Sequence, residues 1–309
     1  MSVIGTGMNN VSEAAGAASN AQSVSPPVYE CDRENALKGI PTEQIYVFKT
    51  IENIQEIIGK TAGWVGDLLY PYLAFLDTPP EQLWNFDAVQ TPGICKQYFE
   101  SLRILVIKLP SKPQEMVTGH LCHRLRRAAI LMGNVDEELS GTGSTTYRAT
   151  NTICRNSCKE ADGGIIPHQR RPGPQGWPTI IFESGVSESL ERLQQGARWW
   201  LTQNNHEVRA VLLAHILCAE QVIDLQVWRM LPIQHPRSGT PPDAQLTPQC
   251  DNQLRIDCSA VPASTIGTVP FFVIRFEDLV LRPRSENERH FFLNMLDIQS
   301  IASVFRASL

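Results

Sequence analysis

The stretch Trp177-Pro178-Thr179-Ile180-Ile181-Phe182-Glu183-Ser184-Gly185, read together with the residues up to Leu217, decides the fold class of this 309-residue chain. Ile180, Ile181 and Phe182 are β-branched or aromatic, as a half-buried pleated surface prefers. Alternation along a strand puts Thr179, Ile181 and Glu183 on one face and Ile180, Phe182 and Ser184 on the other. Leu190, Leu193, Ala197, Trp200 and Leu201 then recur at helical spacing, with Ser187 placed to cap and Glu188 and Glu191 in the first turn, where carboxylates complement the helix dipole. Val208 to Leu217 is a nearly unbroken apolar run of strand length. Strand, helix, strand in that order predicts a parallel crossover and a mixed α/β fold.

Working outward, Val222 to Trp228 reads as a further strand because Ile223, Leu225 and Val227 alternate with polar residues. Upstream, extended pieces are expected at Ser144–Thr152 and Asp162–Ile166, with an irregular loop rich in proline and glycine before Thr179. Lys112 to Met132 has helical periodicity and carries Arg124, Arg126 and Arg127 away from its apolar side. Residues 41–110 show Ile45, Phe48, Ile51, Ile54, Ile57 and Ile58 at three- and four-residue intervals, so a helical N-terminal region is expected there. Residues 1–40 lack such periodicity and read as a disordered tail. The remainder, 111–309, reads as one domain, with a proline-rich insertion at 232–250, a strand at Phe271–Phe276 and a closing helix from Glu286 onward.

With 42% apolar and 19% charged residues the chain can bury a sizeable core, and its net charge of -5 excludes a global basic field for nucleic acid. Residues 1–28 have neither a basic start nor an apolar run of signal-peptide length. An intracellular location, cytoplasmic or nuclear, without membrane association is therefore expected. The eight cysteines are expected to be reduced thiols. Cys154 with Cys158 and His120 with His123 do not complete a four-ligand zinc template.

The chemistry concentrates in two acids. Glu183 ends an otherwise apolar strand, where an unpartnered carboxylate is costly, and Asp162 opens the preceding strand. With the strand ends in register the two carboxylates fall within roughly 5 to 8 Å of each other. Like charges that close can share a cation, and Mg²⁺ held by Asp162 and Glu183 would suit phosphodiester hydrolysis. Read structurally, Asp162 is a turn residue beside Gly163-Gly164, and Glu183 caps the adjoining turn at Ser184 to Ser187.

Lys159-Glu160-Ala161-Asp162-Gly163, the Trp177–Gly185 stretch, Ser187-Glu188-Ser189, the Trp199-Trp200-Leu201 helix, Phe276-Glu277-Asp278-Leu279 and Arg282 resemble fungal proteins of the PD-(D/E)XK nuclease-like, or restriction-endonuclease-like, superfamily. The resemblance spans about residues 115–283. It implies an α+β core of helix, three strands, helix and strand, with Asp162 as the family aspartate and Glu183 as the glutamate of its Glu-X-Lys element. Gly185 stands at the lysine position, and Ala161 replaces the preceding proline. No lysine occurs after Glu183 anywhere in the chain, so Arg192 is the expected electrostatic substitute, with Arg198, Gln194 and Lys159 as other nearby groups.

Two function classes are open. An active chain would be a weak Mg²⁺-dependent phosphodiesterase acting on nucleic acid with catalytic Asp162, Glu183 and Arg192. An inactive one would be a pseudoenzyme that keeps the scaffold and binds another protein. His120 and His123 read as packed or surface imidazoles, and Arg170 and Arg171 as solvated loop residues within reach of a phosphate. Of Trp199 and Trp200, one is expected to be exposed, since adjacent helical residues do not share a face.

Overall fold

The computed structural model describes residues 31–62, 71–83, 93–143, 145–150, 156–173, 176–186, 190–233, 246–266 and 273–309. Two sheets sandwich one helix. The seven-stranded sheet contains β5 (Ser140–Gly141), β8 (Gly163–Ile166), β9 (Ile180–Val186), β10 (Ala210–Leu217), β11 (Val222–Pro232), β12 (Leu246–Asp257) and β13 (Ser264–Ile266), in the order β13-β12-β11-β10-β9-β8-β5. The six-stranded sheet contains β1 (Ile45–Val47), β2 (Tyr72–Leu76), β3 (Cys95–Phe99), β4 (Ile104–Lys108), β6 (Thr146–Arg148) and β7 (Cys158–Glu160), in the order β1-β2-β4-β3-β7-β6.

The predicted crossover is present. β9 runs parallel to β10 with Ile181 beside Val211 and Glu183 beside Leu213, and the helix α4 (Leu190–Thr202) connects them. The expected cap Ser187 and its neighbour Glu188 lie outside the described residues. β8 pairs antiparallel with β9, Gly163 facing Phe182, and β5 pairs antiparallel with β8. With α3 (Lys112–Ile130) in front, and with β6 and β7 between β5 and β8 joining the other sheet, the remaining order α3, β5, β8, β9, α4, β10 is the helix, three strands, helix, strand order that the resemblance implied.

Burial matches the predicted alternation of β9. Ile180 and Phe182 pack with Val117, Leu121 and Leu125 of α3 and with Ile298, Ile301 and Phe305 of the C-terminal helix α6 (Met295–Ser308). Ile181 points the other way, into a core formed by α4 and the inner face of the six-stranded sheet, where Tyr72, Ala74, Phe99, Ile104 and Val106 lie. The outer face of that sheet is covered by α2 (Ile51–Ala62) through Ile51, Ile54 and Ile58, against Leu105 and Ile107.

The structure corrects several expectations. Among the described residues, the span 41–110 is helical chiefly at α2 and otherwise supplies β1 to β4. Tyr72–Leu76 and Ile104–Lys108 are strands buried on both faces, which carry no alternation and pass for helix by spacing alone. Residues 1–30 lie outside the described residues, but the expected tail to residue 40 contains α1 (Arg33–Leu37), capped by Asp32, with Ala36 and Ile40 buried. Among the described residues, Ser144–Thr152 contributes only β6, which joins the other sheet. The proline-rich insertion is flanked by strand at both ends, since β11 reaches Pro232 and β12 begins at Leu246; residues 234–245 lie outside the described residues. Instead of a strand, Phe276 opens a short helix, α5 (Phe276–Val280), with Ile274 bridging to Phe291. The last helix starts at Met295, where Asn294 and Asp297 form a reciprocal capping box.

Trp199 and Trp200 are both fully buried. Two opposite faces of one helix can be interior when a sheet lies on each side. Trp199 Nε1 donates to Ser157 Oγ at 3.0 Å and Trp200 Nε1 to Glu183 Oε1 at 2.5 Å, so each indole finds a polar partner in its own layer.

Candidate functional site

Asp162 precedes β8 and Glu183 lies in β9, and the antiparallel register brings their carboxylates to one seam between the sheets. Each side chain is only 3% exposed. Asp162 Oδ2 accepts from Ser184 N at 2.7 Å, from Ser184 Oγ at 3.0 Å and from Lys108 Nζ at 2.6 Å. Its Oδ1 receives the Cys95 thiol at 3.6 Å. Glu183 Oε1 takes the Trp200 indole N–H and lies 3.0 Å from Lys159 Nζ, while Oε2 is 3.7 Å from Lys108 Nζ. Ser184 Oγ also accepts from Thr118 Oγ1 of α3 at 2.7 Å, which ties the seam to the helix behind it.

Strand alternation explains why the cations arrive there. On β4 the residues at 104, 106 and 108 share the inner face, so Ile104 and Val106 fill the core and Lys108 continues their row to the acids. On β3 the same argument turns Cys95, Gln97 and Phe99 inward. On β7, Cys158 joins the outer core and Lys159 faces α4 and Glu183. The next residue, Glu160, pairs with Lys96 at 3.2 Å and accepts from Thr146 Oγ1 at 2.6 Å. Two buried carboxylates thus meet two ammonium groups and several neutral donors, the condition under which buried charge is tolerated.

The seam also shifts its neighbours. Burial, reinforced by the Asp162 charge, pushes the Cys95 thiol far up, so it stays protonated and donates to Asp162 and the Ala161 carbonyl. Burial, again with a contribution from Asp162, raises Glu115 in the first turn of α3 above the usual carboxylate range. A small cleft is lined by Tyr72, Cys95, Gln97, Lys108, Lys159 and Arg192 among others, and neither Asp162 nor Glu183 is part of its lining.

The structure brings together Asp162 and Glu183 as expected and corrects the place of Arg192. That guanidinium donates to Ala36 O at 2.8 Å and Gln97 Oε1 at 3.3 Å and stacks on Tyr72, so it ties α1 and β3 to α4, and the ammonium groups at Glu183 are those of Lys159 and Lys108. Lys108 was missed because nothing in the apolar run Ile104–Lys108 distinguishes a buried charge from the polar end of a strand. Arg171 donates to Trp177 O and Glu207 O and Arg170 approaches Glu138, so both loop arginines hold protein groups. Arg124 pairs with Asp297, and His120 bonds Ser300 Oγ, with burial lowering its pKa. Cys154 lies outside the described residues, and the seven described cysteines are free thiols.

Mg²⁺ does not fit the seam as it is built. Among the described residues no three or more histidines, cysteines and acids gather around one point. The oxygens of Asp162, Glu183 and Ser184 that could face a hard cation converge on Lys108 Nζ, which lies 2.5 Å from Ser184 O.

No protein-family model and no curated protein matches the sequence. Among solved structures, the chain is similar to a protein described as "a putative nuclease belonging to DUF820 from Anabaena variabilis ATCC 29413". The TM-score is 0.38 at 10% identity, covering 67% of this chain and 90% of that one. Among the described residues no helix is long and apolar enough to cross a membrane.

Proposed function

We propose that this chain is a nuclease-like scaffold that works by binding, as an accessory protein, and not by phosphodiester hydrolysis. The observation that carries the reading is the saturation of the acid pair: both carboxylates are buried and engaged by Lys108, Lys159, Ser184, Trp200 and Cys95. A phosphodiesterase needs its carboxylates turned toward a metal and a phosphate, and these are turned toward the chain itself. Hydrolysis would require breaking a buried charge network first, at a cost of several kcal/mol.

The competing reading, a weak Mg²⁺-dependent nuclease acting on DNA or RNA, is favoured by one observation. Lys159 Nζ, 3.0 Å from Glu183, supplies the cation that Gly185 cannot. The two are separated by incubating wild type with single- and double-stranded DNA and RNA in Mg²⁺ or Mn²⁺, beside Asp162→Asn and Lys159→Gln. The binding reading expects all three to leave the nucleic acids intact. Cleavage by wild type that both substitutions abolish would replace it with the nuclease.

A further inference from the structure

We infer that the Lys108 ammonium is the resident cation of an oxygen cradle that would otherwise take a small divalent ion. Three oxygens of three different residues converge on Nζ: Ser184 O at 2.5 Å, Asp162 Oδ2 at 2.6 Å and Glu183 Oε2 at 3.7 Å. Two carboxylates and a backbone carbonyl are a hard donor set, the kind that Mg²⁺ and Mn²⁺ prefer. An ammonium has three protons to give, and here two go to the carbonyl and Asp162 while the charge faces Glu183. The lysine arrives from a rigid place, the last residue of a strand buried along its length, with its side chain 5% exposed. It is not a surface side chain that has folded over the acids. A protein cation fixed at the end of β4 gives the seam what an exchangeable ion would give, and it gives it permanently.

The accessory reading is tested by cleavage and this inference by metal titration: a folded Lys108→Ala indifferent to metal overturns the inference alone, whereas Mg²⁺-dependent cleavage by wild type through Asp162 would end the accessory reading and overturn Lys108 as the resident cation with it.

Titration of MnCl2 and MgCl2 into wild type and Lys108→Ala, by calorimetry and by thermal unfolding, tests it. Wild type is expected to give no one-to-one isotherm. Lys108→Ala is expected to give one, with a Tm that climbs by several degrees as Mn²⁺ saturates it. Both effects should vanish in Lys108→Ala combined with Asp162→Asn. If Lys108→Ala does not fold alone, recovery of its near-ultraviolet circular dichroism on refolding in Mn²⁺ supports the inference. A folded Lys108→Ala that is indifferent to both metals overturns it, as does an unfolded one that Mn²⁺ does not rescue, or a wild type that binds Mn²⁺ as tightly as the variant through Asp162.

Discussion

The seven-stranded sheet brings carboxylates to the seam it shares with α4, and the six-stranded sheet brings ammonium groups to the same place. Considered alone, the first sheet is an acidic pair in an apolar wall, which predicts either a bound cation or a strained fold. Considered alone, the second is a wall with buried lysines and no evident reason for them. Joined, they cancel. The comparison teaches that a site's chemistry depends on the layer facing it as much as on the residues in it: the same two acids under an open cleft would be a metal site, and under β4 and β7 they are a clamp between sheets.

Removing one side of the clamp should have the largest effect. Asp162→Ala takes away the acceptor for Ser184 N, Ser184 Oγ and Lys108 Nζ together and leaves a buried ammonium with its main partner gone. The expected cost is about 3 to 5 kcal/mol in urea unfolding, the scale for an orphaned buried charge. A loss below about 1 kcal/mol would mean that the charges across the seam do not hold the sheets together.

The limits of the sequence are visible in the same residues. β9, α4 and β10 were legible because each carries an unambiguous period, and they led to the parallel crossover, the sidedness of Glu183 and its closeness to Asp162. β2 and β4 were not, because a strand buried on both faces shows no alternation, and its isoleucines and leucines satisfy helical spacing equally well. That misreading hid most of the second sheet, β6 aside, and with it Lys108, 54 residues before Asp162. It also made one of Trp199 and Trp200 look exposed, since a helix with one covered side has room for only one buried face. Gly185 at the family's lysine position then made the site look short of a cation, whereas the cations come from the other sheet.

The adjacent tryptophans should show a smaller effect of the same kind. Trp200→Phe keeps most of the buried ring and removes the donor to a carboxylate, while Trp199→Phe removes a donor to the Ser157 hydroxyl. A bond to a charged acceptor contributes about 1.5 to 3 kcal/mol and one between neutral groups about 0.5 to 1.5, so Trp200→Phe should be the more destabilising of the two in parallel denaturant titrations. Equal losses would mean that ring packing outweighs the charge at Glu183.

The smallest expected effect comes from an ion network away from the seam. Arg282 donates to Glu138 at 2.6 Å and to both oxygens of Glu288, at 2.6 and 2.7 Å, and stacks on Phe276. The hydrogen bonds from Arg282 depress the Glu288 carboxyl from an ordinary 4.5 to about 2. A carboxyl with a depressed folded-state pKa stabilises the fold above its unfolded value, and that contribution is lost as pH falls through the folded one. Stability should therefore decline between about pH 4.5 and pH 2, and Glu288→Gln should flatten that part of the profile while costing on the order of 1 kcal/mol at neutral pH, because the network is partly solvated and screened. Added salt should shrink the neutral-pH cost of Glu288→Gln and leave that of Asp162→Ala nearly unchanged, since counterions reach the first network and are kept from the second by the two sheets. If salt acted on both alike, the acids of the seam would be open to solvent, and a metal or a phosphate could reach them.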